Sequence, residues 1–151
     1  MNVRVIDYRP PKIAQLFLLV AMILNWLTPM SELIIYSNQL LGLIMGISGF
    51  GVMMSGWWLF RKFDTAVCPT ARTDHLVTSG VYRYTRNPMY LGVITMLLAV
   101  AIYVGTLPFY LATIAYFVVI NNNFCPYEED KLTRAFGDTY ISYKKRVRCW
   151  I

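Results

Sequence analysis

The feature that most constrains this chain is a set of long apolar stretches from which charged residues are absent. The stretch from Asn38 to Phe60 contains no charged residue and carries several glycines. A helix of about 20 mainly apolar residues is long enough to cross the hydrocarbon core of a bilayer. Because backbone groups must satisfy one another's hydrogen bonds in lipid, such a stretch predicts a membrane-spanning α-helix.

Two further stretches predict the remaining spans. Residues Ile13 to about Met30 form the first, and Pro29 is expected to mark its end. The stretch from Met89 to Ile120 is too long for one crossing, and the sequence GTLP at Gly105–Pro108 divides it into two arms of a helical hairpin. The predicted fold is therefore all-α: a polytopic membrane helical bundle with about four transmembrane helices and, after them, a C-terminal amphipathic helix. Residues 1–151 are expected to form a single domain without a removable signal peptide.

Small and polar residues predict how these helices pack. The glycines of the second span favour close helix contacts and a central position in the bundle. Asn25 is expected to hydrogen-bond to a neighbouring helix rather than to a ligand. The segment Glu128–Val147, EEDKLTRAFGDTYISYKKRV, has apolar residues at three- and four-residue spacing, which predicts the amphipathic helix, bent near Gly137 and lying against the bundle or at the interface.

The charges indicate the orientation of the protein in its membrane. Hydrophobic residues make up 57% of the chain and charged residues 15%, with a net charge of +6. The 14 basic residues fall before the first span, between the second and third, and after the fourth. The positive-inside rule then predicts an integral protein, expected in a bacterial inner membrane, with both termini cytoplasmic. Clusters that flank spans are not typical of nucleic-acid binding, and Cys68, Cys125 and Cys149 form no metal-binding or disulfide pattern, so no metal site is expected.

Two stretches carry more polar groups than connecting segments require. The first is His75–Gly92, HLVTSGVYRYTRNPMYLG, which enters the third span. The second is the acidic pair Glu128 and Glu129, just after the fourth span. If the hairpin closes, its two ends are neighbours, and Arg86 is expected to meet the acidic pair across one pocket.

These two regions resemble the C-terminal signatures of a known enzyme family. Leu76–Gly92 and Glu128–Trp150, EEDKLTRAFGDTYISYKKRVRCW, are similar in kind, order and separation to those of integral-membrane methyltransferases. That family includes isoprenylcysteine carboxyl methyltransferases and phospholipid N-methyltransferases. The resemblance implies an all-helical membrane fold, S-adenosyl-L-methionine as the cofactor, and a lipid-like or lipophilic acceptor that enters sideways from the bilayer.

The resemblance also implies which residues form the site. Those of the catalytic region are Arg86, Glu128 and Glu129; those that bind the cofactor are His75, Gly80, Tyr82, Arg83, Asn87, Pro88, Tyr90 and Gly92. The chemistry is consistent, since carboxylates suit the sulfonium and ammonium of the cofactor, and Arg86 or His75 suits its carboxylate. Gly92 would permit close approach of the backbone, Pro88 would begin the helix, and Tyr90 would pack on the adenine or ribose.

The acceptor and several roles stay open. Asn87 stands where eukaryotic carboxyl methyltransferases usually have histidine, Val81 where proline is common, and Arg148–Cys149 where a Pro-Arg pair is frequent, which weakens the case for prenylcysteine. An ammonium acceptor must first lose a proton, and Glu128 or Glu129 is the candidate base, whereas a carboxylate acceptor needs none. A non-catalytic scaffold or an inactive family member is the alternative. A small four-helix exporter is disfavoured because no span contains a carboxylate or a basic residue in its interior.

Overall fold

The fold is a bundle of membrane helices with no strand among the described residues. The computed structural model describes residues 10–28, 34–63 and 75–151. Pro29, Cys68 and the basic residues Arg4, Arg9 and Arg72 lie outside the described residues. The helices are α1 (Pro10–Leu27), α2 (Gln39–Lys62), α3 (Pro88–Val104), α4 (Leu107–Val119), a π-helical turn (Ile120–Phe124), α5 (Cys125–Phe136) and α6 (Asp138–Arg146). A short 3-10 helix, Gly80–Arg83, precedes α3.

Three continuous helical stretches are long and apolar enough to cross a membrane. They are Pro10–Leu27, Gln39–Lys62 and Leu107–Phe136, and the shorter apolar helix α3 has 17 residues. At 1.5 Å per residue α3 extends about 26 Å, which is near the thickness of the hydrocarbon core. The prediction of a helical membrane bundle is confirmed.

Helix α2 packs on α3 through glycines. Gly42, Gly49 and Gly56 recur at every seventh position, and all three are buried. A Cβ atom added to Gly49 would lie 2.8 Å from the carbonyl oxygen of Gly92, and one added to Gly92 would lie 2.6 Å from that of Gly49. Only glycine permits backbones to approach this closely, which increases the dispersion contacts that hold helices together in lipid.

The predicted central position of α2 is wrong. Within the described part of the chain, α2 contacts α3 and the 3-10 helix, whereas α3 contacts α2, α4 and α1, and α4 packs on both α1 and α3. Glycines at seven-residue spacing form a stripe along a single face, so they serve one neighbouring helix. The hairpin α3–α4 therefore forms the middle of the bundle.

The hairpin turn forms where the sequence predicts it. Gly105 has a positive φ of 84° and ends α3, a conformation that glycine adopts without steric cost. Thr106 follows as the N-cap residue of α4. Its hydroxyl donates a 2.7 Å hydrogen bond to Asn25 Oδ1 of α1, which confirms that Asn25 bonds to a neighbouring element.

The last span continues directly into the acidic segment. Helix α4, the π-helical turn and α5 follow one another without a break, so α5 is not the separate helix that the sequence predicts. The part without charged residues, Leu107–Phe124, is about 27 Å long at 1.5 Å per residue. Helix α5, CPYEEDKLTRAF, carries the charges beyond it. Gly137, with φ of 52°, then separates α5 from α6, as the sequence predicts.

Candidate functional site

A cavity of about 740 Å³ lies at the end of the bundle where α3 begins and α4 continues into α5. One part of its wall is polar and includes Arg86, Glu128 and Glu129. Another part is apolar and comes from the last three turns of α2; it consists of Met53, Met54, Trp57 and Phe60. A cavity with convergent polar groups and an apolar side matches the usual make-up of a small-molecule site.

The segment before α3 is held by the C-terminal residues. The backbone N–H of Arg86 donates to the carbonyl oxygen of Arg148 at 3.1 Å. The Thr85 hydroxyl and the Asn87 amide both donate to the carbonyl oxygen of Cys149, at 3.0 and 3.2 Å. Since Pro88 then begins α3 without needing a backbone donor, the positions of Arg86 and Asn87 are fixed from both sides.

The predicted meeting of Arg86 with the acidic pair is observed. Arg86 Nη1 lies 2.6 Å from Glu129 Oε1, and these side chains are only 10% and 20% exposed. The other oxygen of Glu129 accepts a short hydrogen bond from Lys144 of α6. Arg86 Nη1 also donates to the Tyr140 hydroxyl at 3.4 Å. Glu129 is therefore already compensated by two cations, both of which come from outside α5.

Glu128 has a different environment from Glu129. Its Oε1 accepts a 2.5 Å hydrogen bond from the Tyr90 hydroxyl, which projects from the first turn of α3. Burial raises the pKa of the Glu128 carboxyl to about 7, although the Tyr90 hydrogen bond and the charge of Lys131 act in the opposite direction. The two carboxyl groups consequently differ: one is ion-paired, and the other is poised to change its charge near neutral pH.

Three polar atoms in the cavity wall are buried without a hydrogen-bond partner in the described part of the chain. They are Arg86 Nε and the hydroxyl groups of Tyr82 and Tyr116. Leaving a buried donor unpaired costs about 1–3 kcal/mol, so each of these groups lacks an acceptor that the rest of the described chain does not supply. Burial raises the pKa of Tyr82 well above its usual value, and its hydroxyl therefore stays a donor at neutral pH.

The site residues implied by the resemblance divide into two groups. Those that line the cavity are His75, Tyr82, Arg86, Asn87, Pro88, Tyr90, Glu128 and Glu129. Gly92 contacts the backbone of α2 instead. Gly80 packs against Leu59, and Arg83 lines a separate pocket. The fold therefore brings eight of the eleven implied residues to one cavity, and the other three lie outside its wall.

Several wall residues are missing from the sequence-based site. Tyr116 is fully buried in α4, and its only signal in sequence is a hydroxyl-bearing residue within an apolar span. Tyr140 and Tyr143 are visible in sequence as part of an amphipathic stripe, which indicates burial but not a cavity. Lys144 does not line the cavity but pairs with Glu129, and it could have been found only by knowing that α6 folds back onto α5, because nothing in its local sequence distinguishes it from Lys145.

The cavity wall fits the cofactor that the resemblance implies. S-adenosylmethionine combines two positive groups and a carboxylate with an adenosyl moiety. The wall offers the carboxyl group of Glu128, the unpartnered Nε of Arg86 and the unpartnered hydroxyl of Tyr82. Tyr90 adds aromatic surface beside Glu128, and its ring packs on the fully buried ring of Phe124, with ring centroids 6.4 Å apart.

Comparisons with known proteins support the resemblance to membrane methyltransferases. Protein-S-isoprenylcysteine O-methyltransferase from Schizosaccharomyces pombe is 32% identical over 91 residues, which are 58% of this chain and 37% of that enzyme. The match thus spans well under half of the length of that relative. An uncharacterized protein from Haemophilus influenzae is 38% identical over 63 residues, which are 42% of this chain and 100% of that protein. No solved structure matches the chain.

A family model described as phospholipid methyltransferase matches residues 37–139. The matched region runs from the start of α2 to the start of α6. It includes Arg86, Tyr90 and the acidic pair, and therefore the polar wall of the cavity. The chain belongs to the phospholipid methyltransferase family.

Proposed function

We propose that this protein is an S-adenosylmethionine-dependent methyltransferase that methylates a lipophilic acceptor at the cytoplasmic face of a bacterial inner membrane. The observation that carries the proposal is the pairing of Arg86 with Glu129 beside the Tyr90–Glu128 hydrogen bond, in one cavity with an apolar side. Family membership supports the reaction class. All three groups of basic residues flank spans on the same side, which supports the orientation.

The cofactor would be held by groups that complement its charges. When bound, it supplies an electrophilic methyl group on a positively charged sulfur. Glu128 is suited to the cationic part, because Glu129 is already paired with Arg86 and Lys144. Arg86 Nε and His75 are suited to the cofactor carboxylate, in charge-assisted hydrogen bonds. In this arrangement Arg86 joins the acidic helix to the cofactor and orients both.

The acceptor would approach from the apolar side of the cavity. Met53, Met54 and Trp57 lie towards the end of α2, and Phe50 and Trp58 of the same helix, which do not line the cavity, are 53% and 56% exposed. An apolar wall continuous with the membrane-facing surface favours a ligand that keeps its chain in lipid while its head enters the cavity. Methyl transfer is an in-line displacement, so the protein contributes mainly by holding the two reactants in alignment.

Glu128 gives the proposed reaction a means of handling a proton. A general base acts best when its pKa lies near the working pH, and that of Glu128 is about 7. An amine acceptor arrives protonated, and its nitrogen gains a lone pair for attack only after the proton moves to a base such as Glu128. A carboxylate acceptor needs no such transfer. The environment of Glu128 therefore favours an amine of a lipid-like molecule over a carboxylate.

Transfer of labelled methyl groups tests the proposal. The purified protein in detergent would be incubated with methyl-labelled S-adenosylmethionine and a total membrane lipid extract, and the labelled product would be identified by mass spectrometry. Label in a lipid amine is the expected result. Label only in a carboxylate would contradict the base role of Glu128 while preserving the reaction class, and label in no lipid component would contradict the proposal.

A matched pair of variants tests the base role of Glu128, with S-adenosylmethionine at saturating concentration so that the transfer rate does not depend on cofactor affinity. Glu128→Gln keeps the size of the side chain but cannot accept a proton, so transfer to an amine should fall by about 10²–10⁴-fold. The control is Asp130→Asn, which removes an exposed carboxylate paired with Arg134 on the outer face of α5. It should leave transfer within about twofold of the unmodified protein.

A further inference from the structure

Arg83 lines a second pocket, outside the reaction cavity. This pocket has a volume of about 400 Å³ and lies between the 3-10 helix Gly80–Arg83 and the end of α6. Its lining residues are Thr78, Ser79, Arg83, Tyr143, Arg146 and Val147. Arg83 belongs to the polar stretch His75–Gly92. It does not line the cavity of about 740 Å³ described above, which is called the reaction cavity below.

The lining of this pocket is positively charged without compensation. Arg83 and Arg146 both line it, and it contains no carboxylate. Neither guanidinium takes part in an ion pair within the described residues; Arg146 Nε donates only to the Ser142 carbonyl oxygen of its own helix, at 3.3 Å. Two like charges that share a pocket repel one another. An anion between them attracts both and makes the net electrostatic interaction favourable.

The neutral groups of the pocket suit an oxyanion. Thr78 and Ser79 add two hydroxyl groups beside the guanidinium groups, and Ser79 makes no side-chain cap to the 3-10 helix that follows it. Guanidinium and hydroxyl donors together match the several acceptor oxygens of a phosphate group. A carboxylate ligand, with two oxygens, would satisfy fewer of these donors.

The position of the pocket indicates the source of the phosphate. Arg83 lies five residues before Pro88, the first residue of the membrane-spanning helix α3. Arg146 ends α6, which has three basic residues in its last turn. Basic residues at this depth attract the anionic headgroups of the cytoplasmic leaflet. We infer that the Arg83–Arg146 pocket binds the phosphate group of a phospholipid headgroup.

The phosphate pocket is separate from the reaction cavity but shares a wall with it. Tyr143 lines both, and its hydroxyl donates a 2.7 Å hydrogen bond to the carbonyl oxygen of Tyr82. Tyr82 in turn is stacked on Phe60 of α2, with ring centroids 5.4 Å apart. A bound phosphate holds α6 against the 3-10 helix and so supports this wall. The inference does not depend on the proposed methyl transfer.

Ligand-induced stabilisation of the full-length protein in neutral detergent tests the inference. The probe is dihexanoyl phosphatidylglycerol, which has a phosphate but no amine that could accept a methyl group. Dihexanoylglycerol has the same chains without phosphate, and inorganic phosphate supplies the anion without chains. The measured quantity is the rise in unfolding temperature with ligand concentration, taken for each variant relative to its own unliganded value.

Charge-matched variants identify the arginines as the site. Arg83→Gln and Arg146→Gln should each weaken the apparent affinity for the phosphate lipid by about tenfold or more, since charge-assisted hydrogen bonds are lost. Lys145→Gln removes the same charge from an exposed position outside the pocket, and should change the affinity by less than about twofold. Arg83 and Arg146 are both exposed, so the replacement of either is compatible with folding.

Three results would overturn the inference. The first is equal stabilisation by dihexanoylglycerol, which would show that the chains and not the phosphate are bound. The second is an equal loss in Lys145→Gln, which would indicate diffuse attraction without a site. The third is stabilisation by inorganic phosphate as strong as that by the lipid, which would assign the pocket to a free anion. Unchanged binding of S-adenosylmethionine by Arg146→Gln would separate failure here from failure of the proposed function.

Discussion

Arg86 and Glu129 form a 2.6 Å ion pair that joins the segment before α3 to the helix that continues α4. The pair closes the two ends of the hairpin over the cavity. Glu129 is also paired with Lys144, whereas Glu128 accepts a hydrogen bond from Tyr90. The two members of the acidic pair therefore have different partners.

Removal of the Arg86 charge should strongly lower the affinity for the cofactor and only moderately lower the stability of the folded protein. A buried ion pair that loses one partner typically costs about 3–5 kcal/mol, but Lys144 still neutralises Glu129, so a smaller loss of stability is expected for Arg86→Gln. Affinity for S-adenosylmethionine should fall by about 30-fold or more. Calorimetric titration measures the affinity, and thermal unfolding measures the stability.

The control for this experiment is Arg134→Gln. Arg134 pairs with Asp130 on the outer face of α5, and its side chain is 79% exposed. The Arg134→Gln variant should bind the cofactor with the same affinity as the unmodified protein. Equal losses of affinity in the two variants would mean that Arg86 acts only through the net charge of the protein.

Cofactor affinity should rise with pH through the titration of Glu128. The pKa of about 7 lies above the ordinary 4.5, so below pH 7 the carboxyl group is mostly neutral and above it mostly charged. A cationic ligand prefers the charged form, and the affinity should increase by up to about tenfold between pH 6 and 8. Calorimetric titrations across this range on the unmodified protein and on Glu128→Gln measure the effect. A rise of the same size in the variant would exclude Glu128 as its origin.

The contribution of Glu128 to the stability of the unliganded protein should decrease as the pH rises. A carboxyl group whose pKa is raised by folding favours the folded state while it is neutral. This contribution is complete below about 4.5 and is lost as the pH rises through about 7. The difference in unfolding temperature between the unmodified protein and Glu128→Gln should therefore change in favour of the variant from pH 6 to 8. No change in that difference would contradict the burial of Glu128.

Replacement of Gly92 by alanine should destabilise the bundle. The added Cβ would lie 2.6 Å from the Gly49 carbonyl oxygen and 2.7 Å from Met53 Cβ, so α2 and α3 would have to move apart, at a cost of about 1–3 kcal/mol. Gly51→Ala is the matched control, because a Cβ there has no neighbour within 4 Å. Cofactor affinity of the folded Gly92 variant decides whether this residue also contacts the ligand, as the family resemblance implies.

The C-terminal contact should make a modest contribution to stability. Trp150 Nε1 donates a 2.9 Å hydrogen bond to Asn121 Oδ1 in the π-helical turn, and its ring packs on Phe117. Trp150→Phe preserves an aromatic ring and removes the donor, which should cost about 1 kcal/mol. A double-mutant cycle with Asn121→Ala measures the coupling between the two residues. A coupling energy near zero would mean that the bond contributes nothing.

The hairpin and the meeting of its ends could be predicted from sequence because each depends on local signals. Gly105 and Pro108 interrupt an apolar run of known length, and a hairpin of bilayer length necessarily returns its end to the side where it began. Arg86 and Glu129 lie at those two ends. Their approach therefore required no knowledge of how the helices pack.

Side-chain directions could not be predicted in the same way. Gly92 and Tyr90 are two positions apart on α3, so they face different sides of the helix, and only the position of α2 determines which side meets a helix and which meets the cavity. Arg83 depends similarly on where α6 ends. The continuation of α4 into α5 was hidden because INNNF reads as the polar end of a span, whereas the structure accommodates it in a π-helical turn.

Calorimetric titration of S-adenosylmethionine into the detergent-solubilised protein tests the central claim most directly. The expected result is saturable binding at one site per chain, weakened in Arg86→Gln and Glu128→Gln and unchanged in Arg134→Gln. The absence of binding by the unmodified, folded protein would contradict a methyl-donor site between Arg86 and Glu128.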